Sequence, residues 1–169
     1  MRFHLGIEAL RTVALRQGND LSDEDAAALV AGFRSLPPHP DVPAALDRLA
    51  AAGYRLIALS DGSPTGIPTQ LENAGIVDRF EMIVSVAEAG RFKPDPAPYL
   101  TALERADVHP ADALMVAAHD WDIIGARAVG IGGAFVTRPG VVWTVPHEPP
   151  ELTPADIAEL ADLLGAQPA

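Results

Sequence analysis

The spacing of apolar residues changes character near residue 41. Before it, Phe3, Ile7, Leu10 and Ala14 recur at helical intervals and predict a helix over 3–16, broken by Gly18-Asn19-Asp20. Ser22, followed by Asp23, Glu24 and Asp25, predicts an N-cap with acids in the first turn, where they suit the helix dipole. That second helix runs to about Phe33, with Leu29, Val30 and Phe33 as its apolar side. The two helices form a hairpin too small to stand alone. Leu36-Pro37-Pro38-His39-Pro40 cannot be helical inside and reads as a linker, with His39 solvated.

From Asp41 onward, helical and strand patterns alternate. Asp41 is expected to cap a helix carrying Leu46, Leu49 and Ala50 inward and closed by Gly53. Tyr54 to Leu59 is a short apolar run suited to a buried parallel strand, and it stops at Ser60-Asp61-Gly62-Ser63. A helix is expected from near Pro68 to Gly75, then a strand over 82–86. The next predicted helix covers 96–106, with Tyr99, Leu100 and Leu103 inward. A strand over 113–118, a helix closed by Gly130 and a strand over 134–137 follow. Thr153-Pro154 is expected to open a last helix through Ile157, Leu160 and Leu163. Alternation of this kind predicts an α/β fold, a Rossmann-like, mostly parallel sheet covered on both faces. The expected division is a partial helical cap over 1–36 and an α/β core over 37–169.

Composition narrows the function classes. The 169 residues, 49% hydrophobic and 21% charged, suit one compact soluble domain. No apolar run reaches a membrane span and no signal segment opens the chain, so a cytoplasmic protein is expected. A net charge of −11 disfavours nucleic acid and anionic membranes as partners. The absence of cysteine excludes disulfides, thiolate nucleophiles and cysteine-ligated zinc. A small anionic substrate would need a local island of positive charge.

Lys93 is the candidate for that island. Pro94 biases Lys93 toward an extended backbone, Asp95 can cap the following helix, and Pro96 can occupy its first position. The alternative is a helix start beside a solvated lysine. In parallel sheets, however, ligands bind beyond the carboxyl ends of strands. Ser60, Lys93 and Asp122 each lie at or just past such an end, so a hydroxyl, a cation and a carboxylate reach one rim.

These stretches resemble the second, third and fourth motifs of the haloacid dehalogenase superfamily, in particular its type II 2-haloacid dehalogenase branch. Leu59-Ser60-Asp61-Gly62 resembles that branch's Leu-Ser-Asn-Gly. Lys93-Pro94-Asp95-Pro96 with Tyr99 resembles its lysine motif, and Trp121-Asp122 with Gly125-Ala126 resembles its Trp-Asp-x-x-Gly-Ala. The similarity covers about residues 41–140, and the N-terminal hairpin resembles the end of a helical cap. The resemblance implies displacement of halide from C2 of a short 2-haloacid by an aspartate, followed by hydrolysis of the ester. It implies that Ser60 hydrogen-bonds the bound carboxylate or the nucleophile. Lys93 would keep the nucleophile ionised, and Asp122 would place Lys93 or the hydrolytic water. Asp61, Gly62, Tyr99, His119 and Trp121 are the accompanying substrate-site candidates. Tyr99 would support the lysine or the substrate, and His119 the lysine–carboxylate network.

The departures from the family pattern are equally specific. No Asp-x-x-Gly-Thr motif occurs in these residues, and the arginine expected early in the cap is missing too. Asp23, Asp25 and Asp41 follow no apolar strand and read as caps. A fragment or mis-started frame, or a short protein whose missing central strand is replaced by rearrangement or another chain, would account for this. The strands ending at Ser60 and Ala118 are then expected either to pair directly or to leave open edges inside the sheet. Asp61 in place of asparagine adds negative charge where an anion should bind. Ala118 stands where phosphatase relatives place a magnesium-binding acid, so no metal and no cofactor is expected. The resemblance leaves a homodimer through the cap open. Besides dehalogenase chemistry, two readings stand: a phosphatase-like hydrolase, and a catalytically silent relative that binds a small anion or a protein.

Overall fold

The computed structural model describes residues 2–167, with side chains from Gly6 onward, so the expected inward role of Phe3 lies outside the described residues. Among the described residues, seven α-helices and four strands follow one another in the order the sequence pattern predicts. Helix α1 (Arg2–Arg16) and helix α2 (Asp23–Arg34) form the N-terminal hairpin. Ser22 caps α2 by accepting from the Asp25 amide at 3.1 Å. Ala26 is buried, but Leu29 and Phe33 are exposed, so the expected apolar side of α2 is only partly covered. Gln70 donates to the Phe33 carbonyl and Asn73 to that of Arg34, tying the open end of α2 to the next layer.

The α/β part begins with α3 (Val42–Ala51). Asp41 occupies its cap position without making a side-chain cap bond, which corrects the sequence expectation. Its carboxylate instead takes both Arg138 nitrogens at 2.9 and 2.8 Å and the Ile157 amide at 2.9 Å. A charge-assisted, bidentate pair outcompetes a local cap bond. Strand β1 (Ile57–Ser60), α4 (Gly66–Asn73), β2 (Met82–Ser85) and α5 (Pro96–Ala106) follow. Helix α4 starts two residues before Pro68, because amides in a first turn need no helical acceptor and Ser63 Oγ accepts the Gly66 amide. Asp95 caps α5 as expected, accepting from the Ala97 amide at 2.9 Å. Tyr99 and Leu103 are buried, but Leu100 is half exposed and does not face inward. Strand β3 (Leu114–Ala117), α6 (Asp120–Ala128), β4 (Gly132–Phe135) and α7 (Ile157–Leu163) complete the chain. Helix α7 is capped by Asp156, not opened by Thr153, and its Leu163 points outward.

The strands form two parallel pairs, β1 with β2 and β3 with β4. Of the two expected outcomes, open edges are the one observed. Leu56 and Ser60 carbonyls accept from the β2 side, so Ile57 and Leu59 turn their backbone groups away from β2. Ala113 and Ala117 carbonyls accept from the β4 side, which turns Leu114 and Val116 away from β4. The outer edge of β4 is covered, since the Phe135 and Thr137 amides donate to Leu152 and Pro154. Helices hold the two pairs together. A core of Tyr99, Leu103, Ala126 and Ile131 takes Leu59 from one pair and Met115 from the other. On another side, Leu49 of α3 packs with Ala161 of α7.

Candidate functional site

Three loop-to-helix junctions deliver the site. The first follows β1. Ser60 Oγ accepts the Gly62 amide at 3.1 Å, so the turn folds back on its own hydroxyl. Gly62 is required by space as well, because a Cβ there would stand 2.7 Å from Ile67 Cγ1. Asp61 reaches the second junction, where its Oδ1 accepts the Lys93 amide at 3.1 Å. The carboxylate that looked like an electrostatic intrusion therefore has a local task, fastening the lysine loop to the end of β1.

The Lys93–Pro94 peptide is cis. The Lys93 side chain is not solvated: only 6% of it is exposed. Its ammonium donates to the Leu59 carbonyl at 3.2 Å, the carbonyl that faces away from β2. It pairs with Asp122 Oδ1 at 2.8 Å and lies 5.6 Å from the Trp121 ring centre. The pair joins the two halves of the sheet, since Lys93 follows β2 and Asp122 follows β3.

The third junction opens α6. Asp122 is buried at its first turn, and burial pushes its carboxyl above the ordinary range, while the hydrogen bond and charge of Lys93 pull the other way. Burial is the largest of these influences, and Lys93 faces Oδ1 at 2.8 Å. His119 is two-thirds exposed, stacks on Trp121 at 5.0 Å and places Nδ1 3.8 Å from Asp122 Oδ2. It thus adjoins the network from the solvent side. Tyr99 is wholly buried, and its hydroxyl donates to the Asp122 carbonyl at 3.1 Å. Burial raises the phenol above its ordinary value, with the Asp122 and Asp61 charges adding to the effect, so it remains a donor. Tyr99 therefore supports the Asp122 backbone and does not face the rim.

Two contributors escaped the sequence reading. Ser85, the buried last residue of β2, donates to the Gly62 carbonyl at 2.7 Å and accepts the Ala87 amide. A hydroxyl closing the apolar Met82–Val84 run was the available signal. Asp120 accepts the Thr144 amide at 3.0 Å and the Trp121 amide at 2.8 Å, pinning the loop after β4 to the start of α6. No local pattern marks that partner, which is 24 residues away. Among the described residues, no group of three or more acidic or histidine side chains could hold a metal ion.

The assembled site can hold an anion near a buried, carboxylate-backed ammonium. Asp61 and Asp122 are both engaged by the lysine segment, so neither is arranged as an unencumbered nucleophile. Comparison with known proteins identifies the family. The family model for haloacid dehalogenase-like hydrolases matches residues 2–130. The (S)-2-haloacid dehalogenase H-109 of Pseudomonas putida is 32% identical over 93% of this chain and 70% of its own length. Haloacetate dehalogenase H-2 of Moraxella sp. (strain B) is 31% identical over 79% of this chain. The chain spans 60% of that relative's length. A crystal structure of an L-2-haloacid dehalogenase superposes with a TM-score of 0.90 at 26% identity, covering 97% of this chain and 72% of the other. The chain belongs to the haloacid dehalogenase-like hydrolase family.

Proposed function

We propose that this chain carries the lysine-centred half of a 2-haloacid dehalogenase site, in which a carboxylate displaces halide from C2 and water then cleaves the ester. The observation that carries this reading is the buried Lys93–Asp122 pair at the shared rim. An ammonium fixed by a carbonyl and a carboxylate offsets negative charge developing beside it without having to reorganise. Ser60 and Gly62 form the turn next to it, and Trp121 with His119 supplies its outer wall. Asp61 and Tyr99 hold the lysine loop and the Asp122 backbone.

The nucleophile is a separate matter. The 169 residues contain no Asp-x-x-Gly-Thr motif, and the engaged acids of the rim support a second reading, in which this polypeptide binds a small anion without turning it over. Halide release from 2-chloropropionate separates the two. Residues 1–169 alone are expected to release little or none, and robust turnover would mean that one of the acids present is the nucleophile. A chimera placing the Asp-x-x-Gly-Thr segment of the Pseudomonas putida relative ahead of residue 1 is expected to release halide, and Lys93→Ala to abolish that release. A folded chimera without activity would favour the anion-binding reading.

A further inference from the structure

Lys93 is the single lysine of the 169 residues. Its ammonium lies 5.6 Å from the Trp121 ring centre, and His119 stacks on that ring at 5.0 Å. The wall these two rings make is itself only partly covered, with Trp121 half-buried and His119 two-thirds exposed. Two stacked rings at the start of the nine-residue α6 need something behind them to hold them in place.

The segment between β4 and α7 stands there. This strap is anchored at one end by the Arg138–Asp41 pair and at the other by Leu152, whose carbonyl accepts the Phe135 amide at 2.9 Å. Between the anchors it is tied to both ends of α6. Arg127, in the last turn of α6, donates to the Glu148 carbonyl at 2.9 Å. At the first turn, Asp120 Oδ2 accepts the Thr144 amide at 3.0 Å and the Thr144 hydroxyl as well. Asp120 Oδ1 accepts the Trp121 amide at 2.8 Å. The Thr144 bonds hold the Asp120 carboxyl below its ordinary range, so they are charge-assisted. Trp143, beside Thr144, packs edge-on against the buried Phe135 at 5.1 Å. One carboxylate thus joins an anchored strap to the backbone of the residue whose ring faces Lys93.

We infer that Asp120 is a positioning residue for the lysine site. By bracing the Trp121 backbone against the strap, it holds the Trp121–His119 wall beside the Lys93 ammonium and keeps water from it. An ammonium withheld from water acts more strongly on an anion next to it. The chemical meaning of this rests on the dehalogenase reading, in which that ammonium offsets developing charge. The shielding itself involves no halide.

A single lysine allows the shielding to be read without turnover. The full chain is treated with the N-hydroxysuccinimide ester of acetic acid, and peptide mass spectrometry follows acetylation of Lys93 relative to the amino terminus. Reagent reaches Lys93 only when the wall opens locally. Asp120→Ala removes charge-assisted bonds from the closed state and is expected to speed Lys93 acetylation at least about tenfold. Thr144→Val, which removes the hydroxyl donor and keeps the amide, should give a smaller rise of about threefold. Asp120→Asn keeps one carbonyl acceptor and should restore part of the protection, a rescue that general loss of structure would not show. Arg127→Gln loosens the far end of the strap and should leave Lys93 protected. Circular dichroism reports which variants are folded. Unchanged acetylation in folded Asp120→Ala, or in Thr144→Val should Asp120→Ala not fold, overturns the inference. An equal rise in Arg127→Gln also overturns it, because the effect would then belong to the strap as a whole. The dehalogenase reading fails separately: a folded chimera that releases no halide discards it, while protection of Lys93 that depends on Asp120 still stands.

Discussion

Lys93 and Asp122 are both almost completely buried, with side-chain exposures of 6% and 7%. Ions withdrawn from water are costly, and their mutual attraction only partly offsets that cost. Removing one partner therefore hurts more than removing both. Lys93→Met, which leaves Asp122 alone, is expected to lose about 3–5 kcal/mol in urea denaturation. The double variant Lys93→Met/Asp122→Leu should lose clearly less, because no uncompensated charge remains. Equal losses in the single and double variants would place the energy in packing and not in the pair. A costly ion pair that hydrophobic side chains could replace is better explained by a chemical task than by stability, which is why this pair anchors the functional reading.

At the scale of elements, the approach of α5 to α6 decides where Asp122 stands. Tyr99 fills the space over Gly125, and a Cβ added at Gly125 would lie 2.7 Å from Tyr99 Cε2. Alanine at a helical position contributes about 1 kcal/mol over glycine, whereas overpacking a closed contact costs about 1–3 kcal/mol. The second effect wins, since Tyr99 is fully buried and has nowhere to retreat. Gly125→Ala is expected to lower the urea midpoint, and an unchanged or raised midpoint would show that the helices can separate freely. Several element ends moved for related reasons. Strand β4 covers Gly132–Phe135, earlier than the apolar run suggested, because pairing with Leu114–Ala117 sets its register. Neither Gly132 nor Gly133 advertises a strand, yet Gly133 also admits Ile123, whose Cγ2 would lie 2.7 Å from a Cβ there.

Across the whole molecule, two strand pairs with open facing edges depend on what clamps them. The Asp41–Arg138 pair is one such clamp, linking the start of α3, the chain beyond β4 and, through the Ile157 amide, the start of α7. The hydrogen bond from Arg138 is the main influence holding the Asp41 carboxyl below its ordinary value of 3.8. A carboxyl depressed in the folded state contributes stability that is present above its unfolded value and lost as pH falls through the folded one. Asp41→Asn is expected to lose about 1–3 kcal/mol near pH 7, with the deficit relative to the parent shrinking as pH falls below 3.8. Urea titrations at several pH values read this directly, and a deficit independent of pH would assign the loss to shape instead of charge.

The order of helices and strands and the caps at Ser22 and Asp95 were determined by local sequence alone, which also put Ser60, Lys93 and Asp122 at or just past strand ends. Hydrophobic period and cap chemistry are properties of neighbouring residues, and the strand ends set the rim. The sequence also carried the family resemblance and the absence of its nucleophile motif. Only the tertiary structure decided which groups those residues meet. Asp41 left its cap for an arginine 97 residues away, Tyr99 turned from the rim to the Asp122 backbone, and Asp61 took the Lys93 amide. Arg34 and Phe92 came to share a cavity although they lie far apart in the chain. A charged or hydroxyl side chain has many potential partners, and packing between distant elements chooses among them.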